Sequence, residues 1–315
     1  MPKVLRLAAI LCGWALVAAM LVAIWLHYYP SRGDLTLYLT SSVPFMVLLG
    51  VVAVVLFCST RAWLALIPTV AVIGGLLWTQ LPLWRAQTAP TAHEFTVASA
   101  NLLFGQADVG DVLEQVRSRD VDLLSVQEMT PESLQRLRSG GIEKELPHSY
   151  VMAGPVAAGT GIFSRHPLSE MRKVDTMILG NLIARVELPG VGPTWFAAVH
   201  PVAPLHGVTP TWNFELDELA NVLHALPGPR AIAAGDFNAT WDHVAFRDIV
   251  SQGYADATEQ AGAGLVLTYP TDRWQNRPFI AIDHVISRGF VADDIVSFDI
   301  NGSDHRGVVA RLGTS

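Results

Sequence analysis

The sequence predicts an α+β domain preceded by three transmembrane helices, and three observations support this fold class. The 315 residues are 51% hydrophobic and only 16% charged, whereas about 25% of residues in a soluble domain are charged. Residues 1–85 hold five basic side chains and one acidic side chain, whereas residues 86–315 hold 16 basic and 27 acidic side chains and carry a net charge of −11. After residue 94, short apolar segments alternate with amphipathic helical ones.

The N-terminal region contains three uncharged apolar runs, at residues 7–26, 35–57 and 62–84. A helix needs roughly 20 apolar residues to cross a bilayer, and aromatic residues cluster near the run ends, as they do at membrane interfaces. A cleaved signal peptide explains the first run but not three in series. The alternative is a signal peptide followed by a buried helical hairpin.

Basic residues in the short flanks indicate the orientation of these helices. Lys3, Arg6 and Arg61 lie on one side, and Arg32 and Arg85 lie on the other. The excess of basic residues marks the cytoplasmic side. We therefore expect a multi-pass protein of the cell membrane with its C-terminal domain outside the cytoplasm and the lipid bilayer as a partner. No obligate protein partner is evident.

The chain thus divides into an anchor (1–85), a small polar linker (86–93) and a domain (94–315) that has no cysteine. Hydrophobic periodicity predicts eight strands and three helices in that domain. The strands are predicted at 95–100, 122–127, 162–164, 183–188, 195–200, 231–234, 282–287 and 308–312. The helices are predicted at 109–119, 131–139 and 213–225.

Metal-binding and proton-transferring residue types stand where these strands begin or end. They are Asn101, Glu128, His200, Asp236, Asn238, Asp283, Asp304 and His305. Carboxylate and amide oxygens suit Mg²⁺, Mn²⁺ or Ca²⁺, and the lack of cysteine excludes a thiolate site. The histidines titrate near neutrality, and Asp283 can hold His305. Together these groups provide what metal-assisted phosphoester hydrolysis requires.

Each motif also has a structural interpretation. The segment 235–238 can be a turn, His200 a hydrogen-bonded structural histidine, 303–305 a turn or cap, and Glu128 a charge at a helix N-terminus. These interpretations do not explain why all the motifs occur together in one order.

That order resembles the endonuclease/exonuclease/phosphatase superfamily, whose fold is the DNase I-like fold. The matching pieces are Asn101, Gln127-Glu128, the segment 161–167, His200, the segment 235–238, the segment 282–285 and the segment 303–305. The resemblance implies a four-layer α/β sandwich, with two packed mixed sheets flanked by helices. It also implies a phosphoesterase that depends on a divalent metal.

The resemblance also implies roles for single residues. Glu128 is expected to be the principal metal ligand, with Asn101 and Asp304 beside it. Asp236 is expected to orient or deprotonate the attacking water, and Asn238 to contact the phosphate or the metal.

Three further residues receive roles from the same resemblance. His200 is expected to act as the acid or oxyanion stabiliser. His305 is its partner, either base or phosphate stabiliser, and is held by Asp283. Ser164 and Arg165 are expected to contact the substrate.

The sequence departs from the family pattern in two respects. His284 stands where many relatives have an aromatic residue, and the tyrosine of the abasic-site endonucleases has no evident counterpart. The histidine at position 200 is as in the DNase I and sphingomyelinase branches. The His-Pro segment at 200–201 resembles that of membrane-anchored bacterial members.

The acidic domain disfavours a nuclease that wraps duplex DNA, because such surfaces are usually basic. A small phosphodiester, a phosphomonoester or a lipid head group fits better, and the alternatives are a non-specific nuclease outside the cytoplasm and an inactive membrane-bound binding module. Four aromatic residues are expected either to form an apolar rim at the site or, more simply, to pack in the core. They are Trp212, Phe214, Trp241 and Trp274.

Overall fold

The computed structural model describes residues 1–87, 92–273 and 275–314. Most of the predicted linker and Trp274 therefore lie outside the described residues. The helical N-terminal region and the α+β domain that follows it are both present.

The N-terminal region forms four helices. They are α1 (Lys3–Tyr28), α2 (Asp34–Thr40), α3 (Val47–Ser59) and α4 (Leu66–Gln80). Two helical segments are long and apolar enough to cross a membrane, Lys3–Tyr28 and Trp63–Trp84, the latter being α4 with its flanking 3-10 turns. A third span is counted only if α2 and the helix Val43–Ser59 are taken as one segment.

The segment 35–57, predicted as the second transmembrane helix, is bent rather than continuous. Helix α2 meets the helix Val43–Ser59 at a bend of 63°. Pro44 opens a 3-10 turn at this break, because proline has no backbone N–H to donate within a helix. Helix α2 is therefore a separate short helix, whose partners are described below.

Helices α1, α3 and α4 pack around a small apolar core that includes Met20, Ala53, Phe57 and Leu76. Their outward faces carry exposed apolar side chains such as Leu11, Val51, Val55, Ile67 and Leu77. An apolar surface this large is unusual for a soluble monomer and marks an interaction surface.

The C-terminal domain contains twelve described strands and six described helices. The strands are β1 (Ala92–Asn101), β2 (Leu123–Gln127), β3 (His148–Met152), β4 (Thr160–Ser164), β5 (Leu168–Lys173), β6 (Leu182–Leu188), β7 (Gly192–Val199), β8 (Ala231–Asp236), β9 (Tyr254–Asp256), β10 (Asp283–Arg288), β11 (Val291–Phe298) and β12 (Gly307–Thr314). The helices are α5 (Val109–Ser118), α6 (Pro131–Ser139), α7 (Ile142–Glu145), α8 (Thr209–His224), α9 (Val244–Ile249) and α10 (Ala257–Ala261).

Two six-stranded sheets form the centre of the domain, in the orders β11-β12-β1-β2-β4-β3 and β5-β6-β7-β8-β10-β9. Between them lies an apolar core that includes Val97, Leu123, Phe196, Ile232 and Val285. A second apolar cluster joins the outer face of the first sheet to α5 and α6, and a third joins the second sheet to α8 and α9. Two mixed sheets flanked by helices, as predicted, are thus confirmed.

Each sheet has one parallel pair near its centre, β1 with β2 and β7 with β8. The carboxyl ends of these four strands lie at the same end of the sandwich, where Asn101 pairs with Gln127 and Val199 with Gly235. The antiparallel strand β10 starts there too, because Asp283 pairs with Asp236. The predicted strand-end residues therefore share one edge of the fold.

Gly235 allows β7 and β8 to approach closely at this edge. A Cβ on Gly235 would lie 2.0 Å from the Val199 carbonyl oxygen, and backbone atoms cannot yield as a flexible side chain does. We expect Gly235→Ala to destabilise the protein by about 3 kcal/mol, the upper range for overpacking. Gly33→Ala is the matched control, since its Cβ would meet nothing within 4 Å. Equal melting temperatures for the two variants in detergent would contradict this expectation.

Candidate active site

A cavity of about 380 Å³ opens at the shared strand edge. Its lining includes six of the predicted site residues, namely Glu128, His200, Asp236, Asn238, Asp304 and His305. Asn101 and Asp283 are buried directly behind it. The structure thus brings together eight of the predicted residues, which come from both sheets.

The carboxylate of Asp236 is at the centre of this group. Its Oδ2 atom lies 3.6 Å from Nε2 of His305 and 3.8 Å from Nε2 of His200. It also accepts a hydrogen bond of 3.2 Å from Nδ2 of Asn101. The other oxygen, Oδ1, accepts the backbone N–H of Asn238 at 2.8 Å. Hydrogen-bond donors therefore hold both oxygens of the Asp236 carboxylate, and Oδ2 also faces two imidazole rings.

His305 forms a buried Asp–His–Asp arrangement with its neighbours. Its Nδ1 lies 2.9 Å from Oδ2 of Asp283, while Nε2 faces Asp236. Burial alone would lower the pKa of His305, but the carboxylates of Asp283 and Asp236 outweigh it and raise the pKa well above 6.5. The pKa of Asp236 is also raised, chiefly by burial. His305 thus carries a proton at neutral pH, beside a carboxylate that is poised to take one.

His200 has the opposite character. Burial, reinforced by the charge of His305, lowers the pKa of His200 to about 4, so its ring is neutral at pH 7. The buried Asn181 side chain fixes the His200 backbone from both sides, accepting its N–H at 2.7 Å and donating to its carbonyl at 3.1 Å. Sequence reasoning missed Asn181, which lies just before β6 and carries no motif of its own.

Glu128 and Asp304 bring further carboxylates to the cavity. Burial raises the pKa of both groups, because an ionised carboxylate is costly in an apolar environment. Glu128 adopts a left-handed backbone conformation (φ 55°), and its Oε2 accepts the N–H of Phe104 at 2.8 Å. Burial opposes the ionisation of these two acids, and a bound hard divalent cation would stabilise their charged forms. The residues present therefore fit such an ion.

The side chain of Asn101 turns its amide nitrogen, rather than its oxygen, towards the carboxylates of the site. Its Oδ1 accepts the N–H of Leu103 at 3.0 Å, and its Nδ2 faces Glu128 and Asp236. An amide nitrogen donates hydrogen bonds and does not bind a cation. In this arrangement Asn101 positions the two carboxylates, and its role as a metal ligand stays a prediction.

A metal ion could by distance alone be held by a second group of residues. Its potential ligand atoms lie within 4.8 Å of one another and belong to Asp236, Asp283 and His305. The hydrogen bonding argues against that use. Both ring nitrogens of His305 face carboxylates, and a histidine must be neutral to bind a metal. We therefore regard this group as a proton-transfer arrangement, which leaves Glu128 and Asp304 as the other carboxylates of the cavity lining.

The predicted substrate contacts of Ser164 and Arg165 are wrong. Ser164 pairs with Leu123, at the start of β2, whereas Thr160 pairs with Gln127 beside the site. Ser164 thus lies about 13 Å from the site edge at the usual rise per strand residue. The Arg165 guanidinium instead pairs with Asp120 at 2.6 Å. The antiparallel direction of β4 carries both residues to the far end of the sheet.

Two other residues of the site carried no recognisable motif. Tyr269 lines the cavity, and its ring centroid lies 4.8 Å from that of His305. Glu215 on α8 is buried and accepts the N–H groups of Ile178 and Val202, each at 2.7 Å. It thereby fixes two of the loops that frame the cavity. Glu215 occupies a core-facing position of its helix. A carboxylate at such a position was the only feature of the sequence that could have indicated its role.

The predicted aromatic rim is mostly structural. Trp212 is fully buried and donates from Nε1 to the carbonyl of Asn238 at 2.9 Å. Trp241 donates to the carbonyl of Thr79 at 3.2 Å, at the junction with the N-terminal helices. Phe214 is exposed. None of these three lines the catalytic cavity.

Comparison with protein families gives one decisive match. The sequence profile of the Endonuclease/Exonuclease/phosphatase family matches residues 98–305, which include all the residues that line the cavity. The chain belongs to the endonuclease/exonuclease/phosphatase family. No curated protein matches its sequence.

Solved structures of this family share the fold at low sequence identity. The structure of D. rerio TDP2 complexed with single strand DNA product is 17% identical, with a TM-score of 0.58, and the match covers 71% of this chain and 100% of that chain. The endonuclease/exonuclease/phosphatase from Bacteroides vulgatus is 16% identical, with a TM-score of 0.56 and coverage of 71% and 100%. That from Beutenbergia cavernae DSM 12333 is 17% identical, with a TM-score of 0.53 and coverage of 71% and 72%.

Proposed function

We propose that the chain is a membrane-anchored phosphoester hydrolase that depends on a divalent metal. The observation that carries the proposal is the position of Asp236, between a charged His305 held by Asp283 and a neutral His200. Glu128 and Asp304 face the same cavity. This combination provides a base, a proton donor and a cation site around one small volume.

In the proposed reaction Asp236 takes a proton from a water molecule whose oxygen forms a bond to phosphorus. The bond from phosphorus to the leaving oxygen breaks, and that oxygen takes a proton from His305. The proton on Asp236 then returns to His305, whose Nε2 lies 3.6 Å away. A raised pKa suits Asp236 to accept this proton near neutral pH.

Three further groups complete the proposal. His200, being neutral, donates a hydrogen bond to a phosphoryl oxygen without adding charge. Asn238 lines the cavity, where it would contact the phosphate, and its Nδ2 donates to the carbonyl of Pro201 at 3.0 Å. Glu128 and Asp304 would hold Mg²⁺, Mn²⁺ or Ca²⁺, which when bound polarises the phosphoryl group and offsets its negative charge.

The membrane anchor is part of the same proposal. Two apolar helices of sufficient length and the bent pair between them support it, as do their exposed apolar faces. Arg6 donates from Nε to the carbonyl of Thr60 at 3.1 Å, so the N-terminus lies beside the loop that carries Arg61. These basic residues share the end remote from the catalytic domain, which supports a domain outside the cytoplasm.

The experiment is a substrate panel with the full chain in detergent micelles. Bis(4-nitrophenyl) phosphate, 4-nitrophenyl phosphate, plasmid DNA and phospholipid are each offered after EDTA treatment and again after addition of Mg²⁺, Mn²⁺ or Ca²⁺. We expect hydrolysis only with added metal and none with Asp236→Ala. Asp175→Ala removes an exposed carboxylate in the same domain and should match the wild type. The absence of any hydrolysis above the Asp236→Ala level would refute the proposal.

A nuclease is the second candidate. One similar structure holds a single-strand DNA product, and the chemistry of the cavity would be the same. The net charge of −11 over residues 86–315 argues against a long nucleic-acid track. Plasmid cleavage far above the other substrates would favour it. An inactive binding module is less consistent with the structure, because the predicted proton-transfer groups all converge.

A further inference from the structure

We propose that the substrate is an amphiphilic phosphoester taken from the bilayer, with its apolar chain on the side of the cavity nearest α2. This inference rests on the proposed function and adds the substrate class and its direction of entry. Three observations carry it: the apolar wall of the cavity, the contact of that wall with the N-terminal helices, and a polar cavity on the opposite side.

The cavity has polar groups at its base and an apolar wall along one side. Leu179, Val202, Leu205 and Val208 form this wall. The side chain of Leu205 is 66% exposed, although a leucine gains by leaving water. An exposed leucine at the mouth of a catalytic cavity is a position where an apolar part of a substrate would be stabilised.

Helix α2 holds the loop that supplies most of this wall, residues 201–208, which we call the rim loop. The Tyr38 hydroxyl donates to the carbonyl of Pro204 at 2.8 Å. The Asp34 carboxylate accepts the N–H of Gly207 at 2.9 Å and the hydroxyl of Thr209. Because α2 joins two apolar helices of the anchor, these contacts place the rim loop beside the end of the membrane-spanning region.

Exposed apolar side chains continue from the rim loop onto α2. Leu35 is 71% exposed and Tyr38 is 50% exposed, in the helix that contacts the rim loop. An acyl or alkyl chain that leaves the bilayer near α2 therefore meets apolar surface before it reaches Leu205. A soluble substrate would gain nothing from this arrangement.

The opposite side of the cavity is polar. A second cavity of about 410 Å³ shares Leu103 with the catalytic one and is lined by Thr271, Asp272, Asn276 and Arg306. Thr271 donates its backbone N–H to the carbonyl of Asp304 at 2.8 Å, which links the two cavities. A hydrated head group fits here, so a phosphoester between the cavities has one apolar and one polar substituent.

The charges around the rim loop and the polar cavity disfavour a nucleic acid as the substrate. Asp34 lies under the rim loop, Asp272 lines the polar cavity, and Arg306 is already paired with Asp299 at 2.7 Å. Asp272 lies 3.4 Å from Arg273 and Asp34 lies 2.8 Å from His206, so the basic side chains beside these carboxylates are already paired and offer a polyanion little attraction. A lipid phosphodiester presents one reacting phosphate rather than a row of them, so it needs no such track of cations.

The test compares two esters that share one reacting bond, ethyl 4-nitrophenyl phosphate and hexadecyl 4-nitrophenyl phosphate. The full chain is assayed with Mg²⁺ in dodecyl maltoside micelles, which contain no phosphoester. We expect kcat/KM to be at least about tenfold higher for the hexadecyl ester, which corresponds to burial of about two methylene groups. Leu205→Ser should reduce this ratio to about threefold.

The control variant is Met171→Ser, which removes an exposed apolar side chain of β5 that lines neither cavity. It should keep the wild-type ratio. Because the hexadecyl ester enters micelles equally for every variant, only a change at the cavity alters the ratio.

Each other outcome has a definite meaning. Equal use of the two esters, or an unchanged ratio in Leu205→Ser, would overturn this inference and leave the proposed function standing. A single-stranded DNA oligonucleotide with a higher kcat/KM than the hexadecyl ester would overturn it in favour of a nuclease. No turnover of any ester above the Asp236→Ala level would instead refute the proposed function.

Discussion

Asp283→Asn is expected to lower kcat for phosphodiester hydrolysis by about three orders of magnitude, within the range that general acid–base catalysis contributes. Asp283 is not itself part of the cavity lining, but it accepts from Nδ1 of His305, which is, at 2.9 Å. Its charge holds the proton on His305, and its geometry aims Nε2 at Asp236. An asparagine amide supplies neither the charge nor the same hydrogen bond. Steady-state kinetics with bis(4-nitrophenyl) phosphate measure the loss.

The fold contains a matched control for this substitution. Asp256 accepts from Nδ1 of the buried His284 at 3.0 Å, in the same sheet. Asp256→Asn breaks a similar buried Asp–His pair, but neither residue lines the catalytic cavity. We expect it to lower the melting temperature and to leave kcat within about threefold of wild type. Equal losses of kcat in the two variants would mean that Asp283 has only a structural role.

Acidification is expected to destabilise the protein through His243, by about 3 kcal/mol between pH 7.5 and pH 4. The ring accepts the N–H of Thr240 at Nδ1, so the proton is on Nε2, which donates to the carbonyl of Leu37 at 3.1 Å. Burial lowers the pKa of His243 to about 4, whereas an unfolded histidine titrates near 6.5. The unfolded chain therefore binds more protons between these values, and stability falls as the pH drops below 6.5.

His243→Asn isolates this contribution, because asparagine does not titrate. The measurement is unfolding by denaturant in detergent micelles across that pH range, followed by tryptophan fluorescence. The variant should be less stable than wild type at pH 7.5, and the difference should shrink on acidification. Parallel pH curves for the two proteins would show that His243 does not contribute.

Sequence reasoning located the site because its residues stand at the ends of buried strands. Strands such as β2 and β8 are buried throughout and mostly apolar, so the polar residues at their ends are conspicuous. The fold then requires the ends of the parallel strands to meet. Asn181 and Glu215 escaped notice because they act by holding loops, and no pattern in the sequence marks a loop that will face a cavity.

The strands that were missed share a physical property. β3, β5, β9 and β11 were not predicted, and they are the four edge strands of the two sheets. Edge strands tend to be short, charged or irregular, which discourages pairing with other chains. β5 carries Glu170 and Arg172 on exposed positions, and β11 has a bulge between Ala292 and Asp294. Hydrophobic periodicity therefore fails where one side of the strand faces solvent.

The break before α3 and the direction of β4 were unpredictable for a different reason. A run of apolar residues gives its length but not its bends, and Pro44 is tolerated within membrane helices. Likewise, Ser164 and Arg165 stand at the end of an apolar strand, as the residues that line the cavity do. Only the antiparallel pairing of β4 with β2 shows that they lie at the other end of the sheet.

Leu37 gives the N-terminal helices a role beyond attachment. It is 1% exposed and belongs to the same buried cluster as Trp212 and Phe246 of the catalytic domain. A chain shortened to begin at β1 would therefore have a solvent-exposed cavity in its hydrophobic core, with the ring of His243 facing water. We expect such a fragment to aggregate during expression. The N-terminal helices therefore complete the hydrophobic core of the C-terminal domain, and both parts must be produced together.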